Sequence, residues 1–235
     1  MPIKRPKFCN DEIYHVIIRA TGDSFIFKKE PDYFRAIFSL YEFNNTEAVE
    51  IGQKRLMRKK KNKGEPFSGN KRQRDLFVDI LAFCFMPNHI HLLLRQKKDN
   101  GVPDFMRKFG AGFVGYLNRK YNRKGPLFSK YRAVHISDNQ QLKTIFVYIH
   151  ANPISLEEPK WKELGIKDPA EVASFLEKYR WSSYLDYIGI NNFSSVTNQD
   201  FILSVFGGKE KCKELVVDWI KFKNKMRENR SPENL

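Results

Sequence analysis

Two kinds of apolar pattern divide the chain. Short runs rich in β-branched and aromatic residues read as strands: Glu12 to Ala20 (EIYHVIIRA), Asp75 to Met86 (DLFVDILAFCFM), His89 to Gln96 (HIHLLLRQ) and Phe128 to Ile136. Pro87-Asn88 is turn chemistry, so the middle two runs form a hairpin. "SFIFK", after the turn residues Thr21 to Asp23, is a candidate short partner strand. Apolar positions at helical spacing predict a helix over Glu30 to Asn45 (Phe34, Ile37, Phe38, Tyr41) and another over about Pro103 to Tyr121 (Phe105, Phe109, Phe113, with Tyr116 or Leu117). A third runs from the cap-like Asp138 to Pro153, which should end it. A helix and a docked aromatic segment follow within Asp168 to Gly189, then two short helices near Thr197–Phe206 and Lys209–Met226 and a frayed tail. Strands and helices mixed in this way, around a central hairpin, indicate an α+β fold on a largely antiparallel sheet flanked by helices, with a helical C-terminal extension over 188–235.

One segment fits neither pattern. Lys54 to Arg74 is dense in Lys and Arg and broken by Gly64, Pro66 and Gly69, which makes it a basic insertion, about 46–74. It is either a solvated loop or an arm that orders on nucleic acid. The whole chain is basic as well: 42 Lys+Arg against 27 Asp+Glu give +15 over 235 residues, with a pI near 9.7. A polyanionic partner follows, nucleic acid before membrane. Three separated cysteines exclude a disulfide framework or a cysteine zinc site. The basic N-terminus lacks the apolar core of a signal peptide, and no apolar run reaches membrane-spanning length. The expectation is a cytoplasmic, nucleoid-associated protein with no membrane partner.

Candidate chemistry sits in the hairpin. Residues two apart on a strand share a face, so His89 and His91 project together while Ile90 and Leu92 face the other way. Two neutral imidazoles side by side are half of a metal site, or a pair of packed core histidines. Downstream, Tyr148 and Asn152 lie one helical turn apart on one face. Asn152 offers a hard carbonyl ligand suited to Mg²⁺ or Mn²⁺. On spacing alone, Tyr148 as a surface aromatic and Asn152 as a helix cap before Pro153 is the better reading. His15 and His135 read as lone strand histidines, there for packing or phosphate contact. His150 falls on another helix face from Tyr148.

"MPNHIHLLL", "YNRKGPLFSKYR", "YIHANP" and "WSSY", in that order after "EIYHVIIRA", resemble the HUH-type single-tyrosine transposases of the IS200-like superfamily, and among them the branch associated with repetitive extragenic palindromes. The resemblance spans 7–187. It implies an HUH nuclease core of ferredoxin-like or RRM-like type, and a metal-dependent single-stranded DNA endonuclease and strand transferase. It implies Tyr148 as nucleophile, with His89, His91 and Asn152 holding Mg²⁺ or Mn²⁺. Cleavage would pass through a 5′-phosphotyrosine on single-stranded DNA with hairpin or palindromic ends, in a monomer or homodimer.

For the DNA, the candidate contacts are Arg19, Arg107, Lys108, Arg119, Lys120, Arg123, Lys130 and Arg132, interleaved with Phe, Tyr and Asn as a groove for backbone and unstacked bases requires. Two alternatives stand beside this. A histidine-triad hydrolase lacks its third histidine, because Leu93 stands there. A domesticated, non-catalytic DNA- or RNA-binding protein of the same fold would keep the surface without the reaction.

Overall fold

The structure is a computed structural model that describes residues 5–22, 24–49 and 74–229. Most of the basic insertion and the last six residues therefore lie outside the described residues. Four strands form one antiparallel sheet: β1 (Ile13–Arg19), β2 (Val78–Met86), β3 (His89–Gln96) and β4 (Arg132–Ile136), in the order β2-β3-β1-β4. The β2–β3 hairpin turns at Pro87-Asn88 as the sequence indicates. Two strand expectations are corrected. Among the described residues "SFIFK" pairs with no strand: the Ile26 and Phe27 amides donate to the Pro87 carbonyl (2.7 and 3.3 Å), so this segment crosses the hairpin turn. The run from Phe128 begins its strand only at Arg132, with Phe128 meeting Ala20 in a lone bridge.

The register sets the two faces of the sheet. Ile17 and Cys84 lie opposite His91, and Arg19 and Met86 opposite His89. Tyr14, Val16, Ile18, Ile90, Leu92 and Leu94 all face the other side. That side is covered by α1 (Glu30–Phe43) and α2 (Gly101–Lys120), whose Phe105, Phe109, Phe113 and Leu117 are buried. The two helices approach so closely that a Cβ at Gly112 would stand 2.2 Å from the Phe43 ring. A bulge in β2 turns the consecutive Leu81 and Ala82 both toward the histidine face.

On the histidine face lies a second layer. It holds α3 (Asn139–Ala151), the single turns α4 (Ile154–Glu157) and α5 (Trp161–Leu164), α6 (Pro169–Leu176), the turn α7 (Tyr184–Tyr187), α8 (Gln199–Phe206) and α9 (Lys209–Glu228). Phe146 of α3, Ile202 and Phe206 of α8, and Val216 and Ile220 of α9 share one core with Leu81 and Leu93. The C-terminal helices thus build the layer that supports α3. Tyr184 and Tyr187 are buried there, as their packing role requires. No helix among the described residues is long and apolar enough to cross a membrane.

Candidate functional site

The sheet register brings together four side chains that are far apart in sequence. His89 and His91 project from β3, His15 projects from the adjacent β1, and the Tyr148 ring descends from α3 onto both strands. The Tyr148 ring centroid lies 5.6 Å from that of His91 and 6.0 Å from that of His15, edge-on to each. His15 and His91 stack 5.1 Å apart, and His15 Nε2 is 2.9 Å from His91 Nδ1. The reading of His15 as a lone strand histidine is therefore corrected. The signal in the sequence was its alternation with Ile13, Ile17 and Arg19, which could be used only once the β1–β3 register was known.

Both hairpin histidines are tethered through Nδ1. Asn88 Oδ1 is 2.7 Å from His89 Nδ1, and a carboxamide oxygen can only accept, so this imidazole carries its proton on Nδ1. In the same tautomer, His91 Nδ1–H donates to His15. What remains on each ring is Nε2. That of His91 is buried and has no hydrogen-bond partner, and the Asn152 side chain lies beside His89. A ring nitrogen fixed through Nδ1, with Nε2 left free, is the arrangement of a metal-ligating histidine.

Asn152 follows α3 directly. The last carbonyls of a helix lack intrahelical donors, and Asn152 Nδ2 satisfies one of them, the Tyr148 carbonyl, at 2.7 Å. The capping role and the ligand role use different atoms, so Oδ1 remains available on the His89 side. His89, His91 and Asn152 fit a hard divalent cation, with the orphaned His91 Nε2 as the plainest sign. Among the described residues no three His, Cys, Asp or Glu are placed to hold a metal ion between them, so the amide is needed to complete the set.

Burial sets the electrostatics. Desolvation lowers the His89 pKa to about 4, helped by the charges of Arg19 and Lys162 and opposed by the neighbouring Asn152 side chain. His91 is pushed well below its usual value, first by burial and then by His15, His89, Lys162 and Arg19. Burial alone takes His15 to about 4. All three rings are neutral near pH 7, so no proton competes for Nε2 of His89 or His91.

Lys162 is the second residue that sequence reasoning missed. Its Nζ lies 3.4 Å from the Tyr148 hydroxyl and 5.1 Å from the ring centroid. Neighbouring Trp161 is buried edge-on against Trp219 of α9, 5.1 Å between centroids, which docks α5 beside α3. Gly165 closes that turn at φ +82°, where a Cβ would meet the Lys223 carbonyl at 2.4 Å. Nothing local in "PKWKEL" signals this placement, because it depends on a helix folded from the C-terminal end.

The candidate DNA contacts divide between the two layers. Arg19 and Arg132 are exposed on the histidine face, Arg19 directly across from His89. Arg107, Lys108, Arg119 and Lys120 ride on α2, beyond the opposite face of the sheet. Several of these already have partners. Lys120 pairs at 2.5 Å with the buried Asp32, Lys108 donates to the carbonyls of Asn45 and Glu47, and Arg107 meets Asp104 at 3.0 Å. Arg123 is half-buried just past α2. Lys130 is exposed beside Tyr131, over whose ring Arg5 lies at 3.7 Å. His150 is fully buried, with Nε2 2.8 Å from Ser183 Oγ, and takes no part in the site.

Comparison with known proteins bears on this geometry. Residues 68–152, which span both histidines, Tyr148 and Asn152, match the family described as "Transposase IS200 like". A REP-associated tyrosine transposase, solved bound to a REP hairpin, superposes with a TM-score of 0.50 over 82% of this chain and 90% of that one, at 12% identity. The four-stranded sheet flanked by helices is the fold of that protein. A bacterial tRNA(His) guanylyltransferase-like protein in complex with GTP aligns over 68% of this chain and 73% of that one, also at 12% identity, with a TM-score of 0.36, too low to carry an argument. No curated protein matches by sequence.

Proposed function

We propose that this chain, whose residues 68–152 match the IS200-like transposase family, is a metal-dependent endonuclease and strand transferase acting on single-stranded DNA. Tyr148 is its nucleophile, and hairpin-bearing DNA is its substrate. The observation that carries this reading is the Tyr148 ring 5.6 Å from that of His91, whose buried Nε2 has no hydrogen-bond partner. The REP hairpin bound by the structural neighbour supports the choice of DNA.

His89, His91 and Asn152 would hold Mg²⁺ or Mn²⁺. When bound, that ion supplies charge neutralisation for the scissile phosphate. The protein's own groups do the rest. Asn88 and His15 fix the two imidazoles, so little rearrangement accompanies loading. The Asn152 amide N–H holds the end of α3 and with it the Tyr148 backbone.

The Tyr148 oxygen attacks phosphorus. An O–P bond to tyrosine forms, the bond from phosphorus to the 3′ oxygen breaks, and the phenolic proton is lost while the departing oxygen gains one. The products are a 5′-phosphotyrosine and a free 3′-OH, and the retained phosphodiester energy lets a second 3′-OH reverse the step. Lys162, against the phenol oxygen, supplies positive charge where the oxyanion develops. Arg19 and Arg132 on the same face would take the flanking phosphates.

Incubation of the full chain with a hairpin-bearing single-stranded oligonucleotide and Mn²⁺ tests this reading. A covalent protein–DNA species that survives denaturation, and is lost in Tyr148→Phe, is the expected result. Binding with no cleavage in either Mg²⁺ or Mn²⁺ would instead leave a non-catalytic binding protein.

A further inference from the structure

Residues 128–131, which precede β4 instead of joining it, wall a cavity of about 340 Å³. It lies between this segment and α2, at the edge of the sheet that β4 forms. That volume falls within the ~300–1,000 Å³ of small-ligand sites. Met106 and Phe109 of α2, together with Phe128, supply apolar walls. Phe128 is held in place by stacking on Phe113, 6.2 Å between centroids.

The charged lining is all of one sign: Arg5, Arg107 and Lys130, with no acid. Arg5 is anchored. Its Nε donates to the Tyr131 carbonyl at 3.3 Å, and its guanidinium lies 3.7 Å from the Tyr131 ring centroid. Arg107 has a carboxylate partner, Asp104 at 3.0 Å, in an exposed pair of the kind that contributes little. Apolar walls bracketed by cations suit a ligand that is flat and apolar at one end and anionic at the other, as a nucleotide unit of a DNA strand is.

Gly110 also lines the cavity. Glycine is among the least favourable residues inside a helix, yet Gly110 sits in the middle of α2 with no positive φ to require it. Its neighbour Gly112 is explained by the Phe43 ring packed against it, whereas a Cβ at Gly110 would meet nothing within 4 Å. The missing side chain at Gly110 widens the cavity and makes room for no protein neighbour.

The sheet ties the cavity to the candidate site. The Ser129 amide and hydroxyl both donate to the Arg19 carbonyl, at 3.0 and 3.2 Å. On its other side Arg19 pairs with His89. Two strand spacings, about 10 Å, therefore separate the His89 backbone from the segment that walls the cavity. The cavity opens on the α2 side of that edge. A DNA strand that leaves His89 across the exposed Arg19 and rounds the β4 edge arrives there.

Resting on the single-stranded DNA reading above, we propose that the cavity between α2 and residues 128–131 is a subsite for one unpaired nucleotide of the DNA strand. The base enters beside Gly110, between Met106 and Phe128, and Arg5, Arg107 and Lys130 hold the adjoining phosphates. A paired base cannot enter, so the subsite recognises unpaired DNA next to the hairpin.

The test uses the full-length Tyr148→Phe protein, so that binding is read without cleavage. The probe is a DNA oligonucleotide with one palindromic hairpin and single-stranded flanks, in which each flanking nucleotide in turn is made abasic. One position, or two adjacent ones, should lose about ten-fold in affinity, the loss expected of one base contact. Adding Gly110→Leu, which fills the cavity with a better helix former, should erase that sensitivity without lowering the melting midpoint. Arg5→Gln should reduce the slope of log affinity against log salt by about 1. Bromouracil at the sensitive position should photocrosslink to Met106, Phe128 or Tyr131. Crosslinking is read on protein with the cavity unaltered, so it decides the matter even if Gly110→Leu folds poorly. Tight binding with no abasic-sensitive position, sensitivity that persists in folded Gly110→Leu, or crosslinks confined to other residues overturns the subsite and leaves the nuclease reading intact. Absence of binding to the probe overturns that reading, and the subsite with it.

Discussion

His15 Nε2 stands 2.9 Å from His91 Nδ1, inside a stack that leaves each residue no more than 3% exposed. The contact joins β1 to β3 and determines which nitrogen of His91 is free. His15→Ala should weaken Mn²⁺ binding about 10- to 100-fold, as loss of an outer-shell partner does, with hairpin-DNA affinity in chelator unchanged. Isothermal titration of the metal into wild type and variant reads this directly. Equal affinities would remove His15 from the site.

Lys162 leads to the opposite pattern. Lys162→Met should leave metal affinity unchanged and slow single-turnover cleavage by about 100- to 1,000-fold, in line with loss of one charge-stabilising donor. Lys162→Arg should recover part of the rate, because it keeps the charge near the Tyr148 oxygen. A full rate in Lys162→Met would place the lysine outside the reaction.

Acid sensitivity follows from the buried imidazoles. Burial lowers His150 to about 3, and His15 and His89 to about 4. The unfolded chain takes up protons near the ordinary value of about 6.5 while the folded chain does not. Stability is therefore full above that value and declines as pH falls toward about 4 for His15 and His89. For His150 the decline continues toward about 3. Each proton contributes a slope of about 1.4 kcal/mol per pH unit. Urea melts of metal-free protein should show the midpoint dropping through this window, and Mn²⁺ should raise it above the window. A midpoint that is flat from about pH 7 to 5 would mean these rings are not held neutral.

Lys120 and Asp32 give a prediction about folding. Burial raises the cost of the Asp32 charge, but bonds from Lys120, Tyr121 and the backbone of Lys28 and Lys29 outweigh it and hold the carboxyl below its usual value. Asp32→Ala strands those donors and should cost about 3 kcal/mol. Lys120→Met should lower stability as well, with little change in DNA affinity per folded molecule. A selective loss of DNA binding would instead make Lys120 a phosphate contact.

Much of this site could be read in the sequence, for reasons that particular residues make plain. His89 and His91 declare a shared face because strand alternation is local. Tyr148 and Asn152 declare one helix face for the same reason. His15 could not be joined to them, since its neighbour is set by the pairing of Ile17 with His91, a long-range register. Lys162 depends on Trp161 packing against Trp219, nearly sixty residues on. The Lys and Arg residues of α2 looked like a groove because their spacing is visible, while the buried acid that binds Lys120 is not. Phe25 to Phe27 resembled a strand by composition, but the Ile26 and Phe27 amides go to a hairpin turn.

The central claim is that Tyr148 becomes covalently joined to DNA. Wild-type protein is incubated with a hairpin-bearing oligonucleotide and Mn²⁺, denatured, digested and analysed by mass spectrometry. The account predicts a peptide carrying a 5′-phosphonucleotide on Tyr148, a free 3′-OH on the released strand, and neither product in Tyr148→Phe. Cleavage that persists in Tyr148→Phe, or an adduct on a different tyrosine, would contradict it.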